Sequence, residues 1–171
     1  MDQVVHLYGL PKRITGFSTT QREHNPTGFE DSCTVLLHYD GMLATVKVAV
    51  VSPEANQLRY WVRGDKGSFK KFHLDCQEDQ LQEGMKPGDV GFGLEPRQRY
   101  GILNRAKGGE IETEIVPMVE PPTYAEFYRK FARALAGDKA QIPVDPEVAA
   151  SVIRLVELAQ RSLREGRTVD V

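Results

Sequence analysis

The chain has 171 residues, 40% of them hydrophobic, so one globular domain can bury its own core without the help of a metal or disulfides. Its 22 basic and 24 acidic residues leave a net charge of −2, which argues against a nucleic-acid partner. The two cysteines, Cys33 and Cys76, lie far apart and indicate free thiols in a reducing compartment. No apolar run is long enough to span a membrane and no signal peptide is visible, so we expect a cytoplasmic protein without a membrane partner.

The N-terminal segment predicts a short helix, a strand and a loop. The spacing of apolar residues predicts a helix over residues 2–8, which Gly9 and Pro11 end. An alternating pattern predicts a strand over residues 13–21, and the polar segment 22–31 predicts a loop. A helix that opens at the first residue favours an element whose natural start lies upstream, and a short terminal helix that begins here is the alternative.

The segment 32–72 is the predicted centre of an antiparallel sheet. Asp40-Gly41 stands between two apolar runs and predicts a hairpin, because Gly adopts positive φ at low cost. The Gly-Asp-Lys-Gly segment at 64–67 predicts a second turn. Residues 43–51 are apolar on one face and half apolar on the other, which is typical of a strand covered on both faces. We expect helices on one side and a second subunit or another domain on the other.

The pattern changes after residue 72. Segment 73–101 is rich in Gly, Pro and charged residues, and it predicts one or two helical turns at 77–84 within a long loop. Alternating residues predict a further strand at 111–116.

Two helices are predicted to close the chain. The first opens with Thr123 and Glu126, the spacing of a capping box. The second opens with Asp145 and Pro146 and ends at Gly166. The apolar stripe of the first helix, predicted to be core, consists of Tyr124, Phe127, Tyr128, Phe131 and Leu135.

This order of elements predicts the α+β class. We expect an open, mostly antiparallel β-sheet with helices packed on one face, within a single domain that spans residues 1–171. The other face is expected to be available for oligomerisation, and the apolar strand at 43–51 predicts a homo-oligomer that forms through the sheet face.

The residues themselves predict no catalytic, nucleotide or metal site. The glycines of segment 88–93 follow no strand, and segment 64–68 lacks the spacing of a phosphate-binding loop. No two histidines have metal-ligand spacing. The loop cluster of Arg22, His24 and Asn25 can hydrogen-bond a polyhydroxy or anionic ligand, and a solvated loop is an equally good interpretation.

Several segments, taken in chain order, carry a resemblance to a known family. Residues 2–11 look like the helix that follows a catalytic Asp-x-x-x-His motif, and residues 62–68 look like a Gly-x-x-Gly-Ser turn between strands. The similarity continues through residues 78–93 and ends with the helices that open at Tyr124 and Asp145. In this order and spacing the segments resemble the C-terminal domain of the Gfo/Idh/MocA family, which includes glucose–fructose oxidoreductase and inositol dehydrogenase.

The resemblance implies a substrate-binding and oligomerisation domain of an NAD(P)-dependent oxidoreductase, which acts on a sugar, polyol or related hydroxy compound by hydride transfer. Family members bind NAD or NADP in an N-terminal Rossmann domain, which is expected to be missing here. The chain should therefore hold no cofactor-binding or catalytic residue and be inactive alone. The family's Glu-Lys-Pro motif is absent, its Asp-x-x-x-His motif is expected just before Met1, and His6 is not its histidine.

Loop chemistry and the resemblance together predict the contacts to a small-molecule substrate. The predicted substrate-binding residues are Arg22, His24, Asn25, Gly91, Phe92, Arg99 and Tyr100. A stand-alone non-enzymatic module that binds a ligand or a protein through its sheet remains an alternative. An isolated enzyme of unknown class is a third, against which the lack of a visible catalytic set counts. A Rossmann segment encoded upstream of Met1 is expected only under the first interpretation.

Overall fold

A computed structural model describes residues 1–118 and 122–171 of the chain. The chain divides into two compact units, Met1–Pro53 with Val144–Val171, and Glu54–Pro143. Each unit contains a four-stranded sheet in which neighbouring strands are antiparallel. The α+β class and the open antiparallel arrangement are therefore confirmed, although one sheet was expected and two are present. The single domain stays a prediction.

The helices and strands are numbered in chain order. They are α1 (Asp2–Tyr8), β1 (Arg13–Thr19), β2 (Ser32–Tyr39), β3 (Met42–Ala49), β4 (Leu58–Arg63), β5 (Gly67–Phe72), α2 (Gln77–Gln82), β6 (Gly101–Lys107), β7 (Glu110–Val116), α3 (Tyr124–Leu135), α4 (Pro146–Glu165) and β8 (Val169–Asp170). Short 3-10 helices lie at Arg97–Arg99 and Lys139–Gln141. No helix among the described residues combines the length and the apolar character that crossing a bilayer requires.

The first unit contains a sheet with the strand order β3-β2-β1-β8. Tyr39 pairs with Met42 across the two-residue turn Asp40-Gly41, where Gly41 has a φ of 69°. This confirms the predicted hairpin, since a turn of this length needs positive φ.

Helix α4 packs closely against β1 because Gly16 has no side chain. A Cβ on Gly16 would lie 2.2 Å from the carbonyl oxygen of Ala159. The Gly16 amide donates to Ser162 Oγ at 3.0 Å, and that hydroxyl donates to the Arg167 carbonyl at 2.6 Å. The core of this unit consists of Val5, Ile14, Val35, Leu37, Leu155, Ala159 and Val169.

Strand β3 is less covered than its apolar composition predicts. It lies at one edge of the sheet, and Ala44 and Val46 pack against the core on the α4 side. Leu43 and Val48 are 55% and 54% exposed. An edge strand receives little cover from a helix that packs over β1. Whatever covers its other face stays a prediction.

The second unit contains a sheet with the order β4-β5-β6-β7. Arg63 pairs with Ser68 across the predicted turn, where the Gly64 amide donates to the Gly67 carbonyl at 2.9 Å. Strand β6 was not predicted, because Asn104 and Arg105 interrupt its apolar residues. It is nevertheless an interior strand of the sheet, since it pairs with both β5 and β7.

The predicted capping box of α3 is wrong in its detail. The helix begins after Thr123 as expected, but the Thr123 side chain makes no capping hydrogen bond. The Tyr124 amide instead donates to Oε1 of Gln77 at 2.9 Å. Gln77 belongs to α2 and is 6% exposed, so a distant buried amide supplies the acceptor. At α4 the prediction is confirmed, because Asp145 accepts from the Glu147 amide at 2.9 Å.

The apolar stripe of α3 is exposed and not core, which corrects the sequence-based expectation. The helix has no buried residue. The exposed fractions of the stripe are 40% for Tyr124, 45% for Phe127, 68% for Tyr128, 47% for Phe131 and 74% for Leu135. Phe127 stacks on Phe131 with the ring centroids 6.3 Å apart. Amphipathic periodicity identifies the apolar face of a helix but does not say what covers it.

Candidate functional site

The loop between β1 and β2 contains three of the predicted substrate-binding residues. Arg22 Nε lies 2.9 Å from Oδ2 of Asp31, whose side chain is almost fully buried. The Gln21 amide donates to the other carboxylate oxygen at 2.8 Å. The Gln21 amide and the Arg22 guanidinium hold the pKa of Asp31 below its ordinary value. In this loop Arg22 therefore stabilises a buried carboxylate.

Asn25 also holds the loop, whereas His24 is exposed. The Asn25 Oδ1 accepts from the Gly28 amide at 3.0 Å, and its Nδ2 donates to the Phe29 carbonyl at 2.6 Å. This is the local turn chemistry that Asn side chains favour. His24 is exposed to solvent, so its ring is the one in this cluster that lies in the open.

The long loop of the second unit contains Gly91 and Phe92. Phe92 is 5% exposed, so its ring packs in the interior of its unit. Gln80 of α2 holds the loop, since its Oε1 accepts from the Gly93 amide at 2.7 Å and its Nε2 donates to the Gly91 carbonyl at 3.4 Å. The loop is therefore long but well fixed by side-chain hydrogen bonds.

Arg99 lies at a cleft of about 470 Å³ in the second unit. Its Nη1 is 3.5 Å from Oδ2 of Asp79. Cys76 also lines the cleft and donates to the Leu94 carbonyl at 3.3 Å. Burial raises the pKa of the Cys76 thiol, so it stays protonated at neutral pH and is a poor nucleophile.

A buried ion pair next to this cleft was missed by the sequence analysis. Lys71 Nζ lies 2.5 Å from Oε2 of Glu95, and Glu95 is 4% exposed. The same ammonium donates to the Arg99 carbonyl at 2.9 Å. A glutamate in a Gly- and Pro-rich loop is expected to be solvated. The apolar neighbours Leu94 and Pro96 are the only sequence signal that could have indicated burial of Glu95.

The structure brings the predicted residues together in two sets. Arg22, His24 and Asn25 share a loop of the first unit, while Gly91, Phe92, Arg99 and Tyr100 lie in the second unit. Tyr100 directly follows the 3-10 helix that contains Arg99, and it lines a second cavity together with Lys71 and Glu95. All seven stay predictions as substrate contacts.

The described residues do not fit a nicotinamide cofactor. Dinucleotides bind at the carboxyl ends of parallel strands, where a glycine-rich turn leads into a helix. All strand pairs within residues 1–118 and 122–171 are antiparallel. The same residues contain no group of three or more His, Cys, Asp or Glu side chains that could hold a metal ion.

The fold and its loops thus define an α+β domain that offers clefts for a small ligand but no dinucleotide crevice in its described residues. The family described as "Oxidoreductase family, C-terminal alpha/beta domain" matches residues 1–171. The chain belongs to this family, the C-terminal domain of the Gfo/Idh/MocA oxidoreductases, as the resemblance predicted.

Similar proteins are oxidoreductases about twice as long. The chain is 36% identical to scyllo-inositol 2-dehydrogenase (NADP(+)) IolW of Bacillus subtilis over 169 residues, which are 99% of this chain and 46% of that protein. The structure of a proposed oxidoreductase, yvaA, from Bacillus subtilis superposes with a TM-score of 0.90 at 35% identity, over 99% of this chain and 47% of that one. For a proposed oxidoreductase from Yersinia pestis, YPO2259, the TM-score is 0.86 at 26% identity, over the same shares. The chain therefore spans about half the length of the curated relatives it matches.

Proposed function

We propose that this chain is the substrate-binding and oligomerisation domain of an NAD(P)-dependent oxidoreductase that acts on a sugar, polyol or related hydroxy compound by hydride transfer. The observation that carries the proposal is the family match over the whole chain. The 36% identity to an NADP-dependent inositol dehydrogenase supports a polyol among these substrates.

The proposed role of this domain is to bind and orient the substrate. Hydride transfer from a carbinol carbon to nicotinamide needs a base for the hydroxyl proton, and general-base catalysis contributes about 10²–10⁴-fold. Because the described residues do not fit the cofactor, we assign the nicotinamide to a part of the full-length protein outside this chain. We assign the base there as well, because the family resemblance implies it. Orientation of the substrate lowers the barrier by holding the reacting atoms in place.

We further propose that His24 and Arg99 lie among the substrate contacts. Arg99 borders an open cleft, and His24 lies exposed on a fixed loop. A homo-oligomer that forms through a sheet face, a small-molecule substrate and a cytoplasmic location complete the proposal. A stand-alone binding module has no specific support in the structure.

The full-length product of the gene tests the proposed function. The protein is screened with NAD or NADP and a panel of sugars and polyols. We expect NAD(P)H to form, and its absorbance measures the reaction. If no compound of the panel leads to NAD(P)H formation, the proposal is contradicted.

In an active preparation, Arg99→Ala should raise KM for the substrate, because a cleft contact is lost. Arg97→Ala, which changes an exposed arginine in the same 3-10 helix, is the matched control. If the KM of the Arg99→Ala variant is no higher than that of the Arg97→Ala variant, Arg99 is excluded from the substrate contacts.

A further inference from the structure

Helix α3 has an aromatic face that no described part of the chain buries. The face consists of side chains that are each 40% exposed or more, namely Tyr124, Phe127, Tyr128, Phe131 and Leu135. The rings already pack on one another: Phe127 stacks on Phe131, and the Phe127 and Tyr128 centroids lie 5.4 Å apart edge to face. Arg129 and Arg133 lie on the opposite side of the helix by its periodicity. The helix is therefore aromatic on one side and charged on the other.

The start of α3 is held by hydrogen bonds and not by its aromatic face. The Tyr124 amide donates to Gln77 Oε1 at 2.9 Å, and Gln77 Nε2 donates to the Pro122 carbonyl at 3.3 Å. The aromatic face is thus preformed and free to pack on something else. Exposed clusters of aromatic side chains are typical of surfaces that another body covers.

The size of the aromatic face argues against a separate partner molecule. The 12 residues of α3 make a helix about 18 Å long. Large side chains of this kind have about 150–250 Å² to bury, so five that are about half exposed offer on the order of 500 Å². A stable complex of separate chains needs about 800 Å² on each partner. The face alone is too small for that.

A tethered partner needs less area, because the covalent link gives it a high effective concentration. Interfaces between domains of one chain bury about 600–1,500 Å² in total, which is about 300–750 Å² on each side and includes the size of this face. The aromatic face therefore fits another part of the same polypeptide.

The comparisons indicate which part that is. The chain covers 46% of one relative and 50% of another, so these proteins contain about as much chain again. The matched family is described as a C-terminal domain, which places the additional chain on the N-terminal side.

We propose that the aromatic face of α3 is the docking surface for the N-terminal, cofactor-binding part of the same polypeptide. The existence of that part rests on the proposed function. Docking would hold the substrate within reach of the nicotinamide, which hydride transfer requires.

The test places a photoreactive side chain on the aromatic face of the full-length product of the gene. Tyr128→p-benzoylphenylalanine keeps an aromatic ring at this position and bonds, under ultraviolet light, to C–H groups that contact it. Mass spectrometry identifies the joined peptides, and a denaturing gel shows whether one chain or two are joined. We expect the main product to join α3 to a residue encoded upstream of Met1 in the same chain.

The control is Arg133→p-benzoylphenylalanine, which places the same probe on the charged side of the helix. It should give no product with the upstream part. A product of equal yield from this position would overturn the assignment to the aromatic face.

A second variant removes the apolar contact. Phe127→Glu with Phe131→Glu, added to the Tyr128 probe, should lower the yield of the upstream product about tenfold or more, because carboxylates are costly to bury. Both phenylalanines are exposed within this chain, so its own fold should persist. Arg129→Glu with Arg133→Glu introduces the same charges on the opposite side and should leave the yield unchanged.

The outcomes separate this docking surface from the proposed function. A product with the upstream part that the Phe127→Glu and Phe131→Glu variant loses supports docking, even if the nicotinamide screen finds no turnover. Products that join two copies, products within residues 1–171 alone, or no product at all would each overturn it, even if the screen finds an active dehydrogenase.

Discussion

Asp31 shows how one side chain fixes a loop that the sequence left open. Its carboxylate accepts from the Gln21 amide at 2.8 Å and from the Arg22 guanidinium at 2.9 Å. These hydrogen bonds favour the charged form, which is why the pKa of Asp31 lies below its ordinary value. The residue type of Arg22 suggested a ligand contact, but its partner is a carboxylate nine residues along the chain.

The lowered pKa predicts how stability depends on pH. A carboxyl whose folded-state pKa is depressed contributes stability that is present above its unfolded value of about 3.9 and is lost as the pH falls through the folded pKa. Asp31→Asn should therefore lower the melting temperature at neutral pH and flatten its decline in the acid range. The measurement is the melting temperature between about pH 2 and pH 7.

Glu30→Gln is the control, because it changes an exposed neighbouring carboxyl in the same loop. It should leave the profile close to that of the unaltered protein. Parallel acid profiles for Asp31→Asn and the unaltered protein would contradict the assigned role of Asp31.

At the scale of elements, the two C-terminal helices differ in where their capping groups come from. Helix α4 uses neighbours in the chain: Asp145 accepts from the Glu147 amide, and Gly166 ends the helix with a φ of 62°. Helix α3 uses Gln77, which is 47 residues from the Tyr124 amide that it accepts from. The Gln77 Nε2 also donates to the Pro122 carbonyl at 3.3 Å, so one side chain holds two backbone groups at this helix start.

Gln77→Met should therefore destabilise the protein more than Thr123→Ala. The methionine keeps the length of the side chain but cannot hydrogen-bond to the Tyr124 amide or the Pro122 carbonyl. The loss of these hydrogen bonds should cost about 1–3 kcal/mol. Thr123→Ala removes no capping hydrogen bond and should change the free energy of unfolding by about 0.5 kcal/mol or less. Urea unfolding monitored by circular dichroism measures both.

Asp145→Ala serves as the reference for a true cap and should cost about 0.5–2 kcal/mol. If Thr123→Ala matched this reference while Gln77→Met had no effect, the capping box predicted from the sequence would hold after all.

For the whole molecule, the distribution of exposed apolar residues bears on assembly. On the first sheet, Ile14 and Ala44 lie on the side of α4, so Phe17 and Leu43 lie on the opposite side by strand alternation. Phe17 is 54% exposed and Leu43 is 55% exposed. The same face also carries polar residues such as Thr34 and Lys47. Two large exposed apolar side chains on one sheet face are the feature that favours a partner there.

We expect the protein to sediment as a homo-oligomer and the variant Phe17→Glu with Leu43→Glu to dissociate. Introduced carboxylates would have to be buried unpaired in the interface, which is strongly unfavourable. Sedimentation equilibrium over a range of concentrations gives the association constants. Val90→Glu alters a residue of the second unit that is 101% exposed, and it should leave assembly unchanged. A monomer at all concentrations would refute an interface on this face.

The features that the sequence determined by itself are those set by neighbours in the chain. The spacing of apolar residues over 2–8, the Asp40-Gly41 turn and the Asp145-Pro146 helix start were all predicted, because local backbone preferences decide them. The family could also be recognised from segments in their order along the chain.

Tertiary structure alone decided the partners that lie far apart in the chain. Lys71 and Glu95 are 24 residues apart, and each is an ordinary surface residue by type. Strand β6 lacks an apolar alternation and is held by its two neighbours, and the α3 stripe is exposed although its periodicity is that of a core helix. Burial and pairing at these places depend on which distant segments pack together, and the local sequence does not determine that packing.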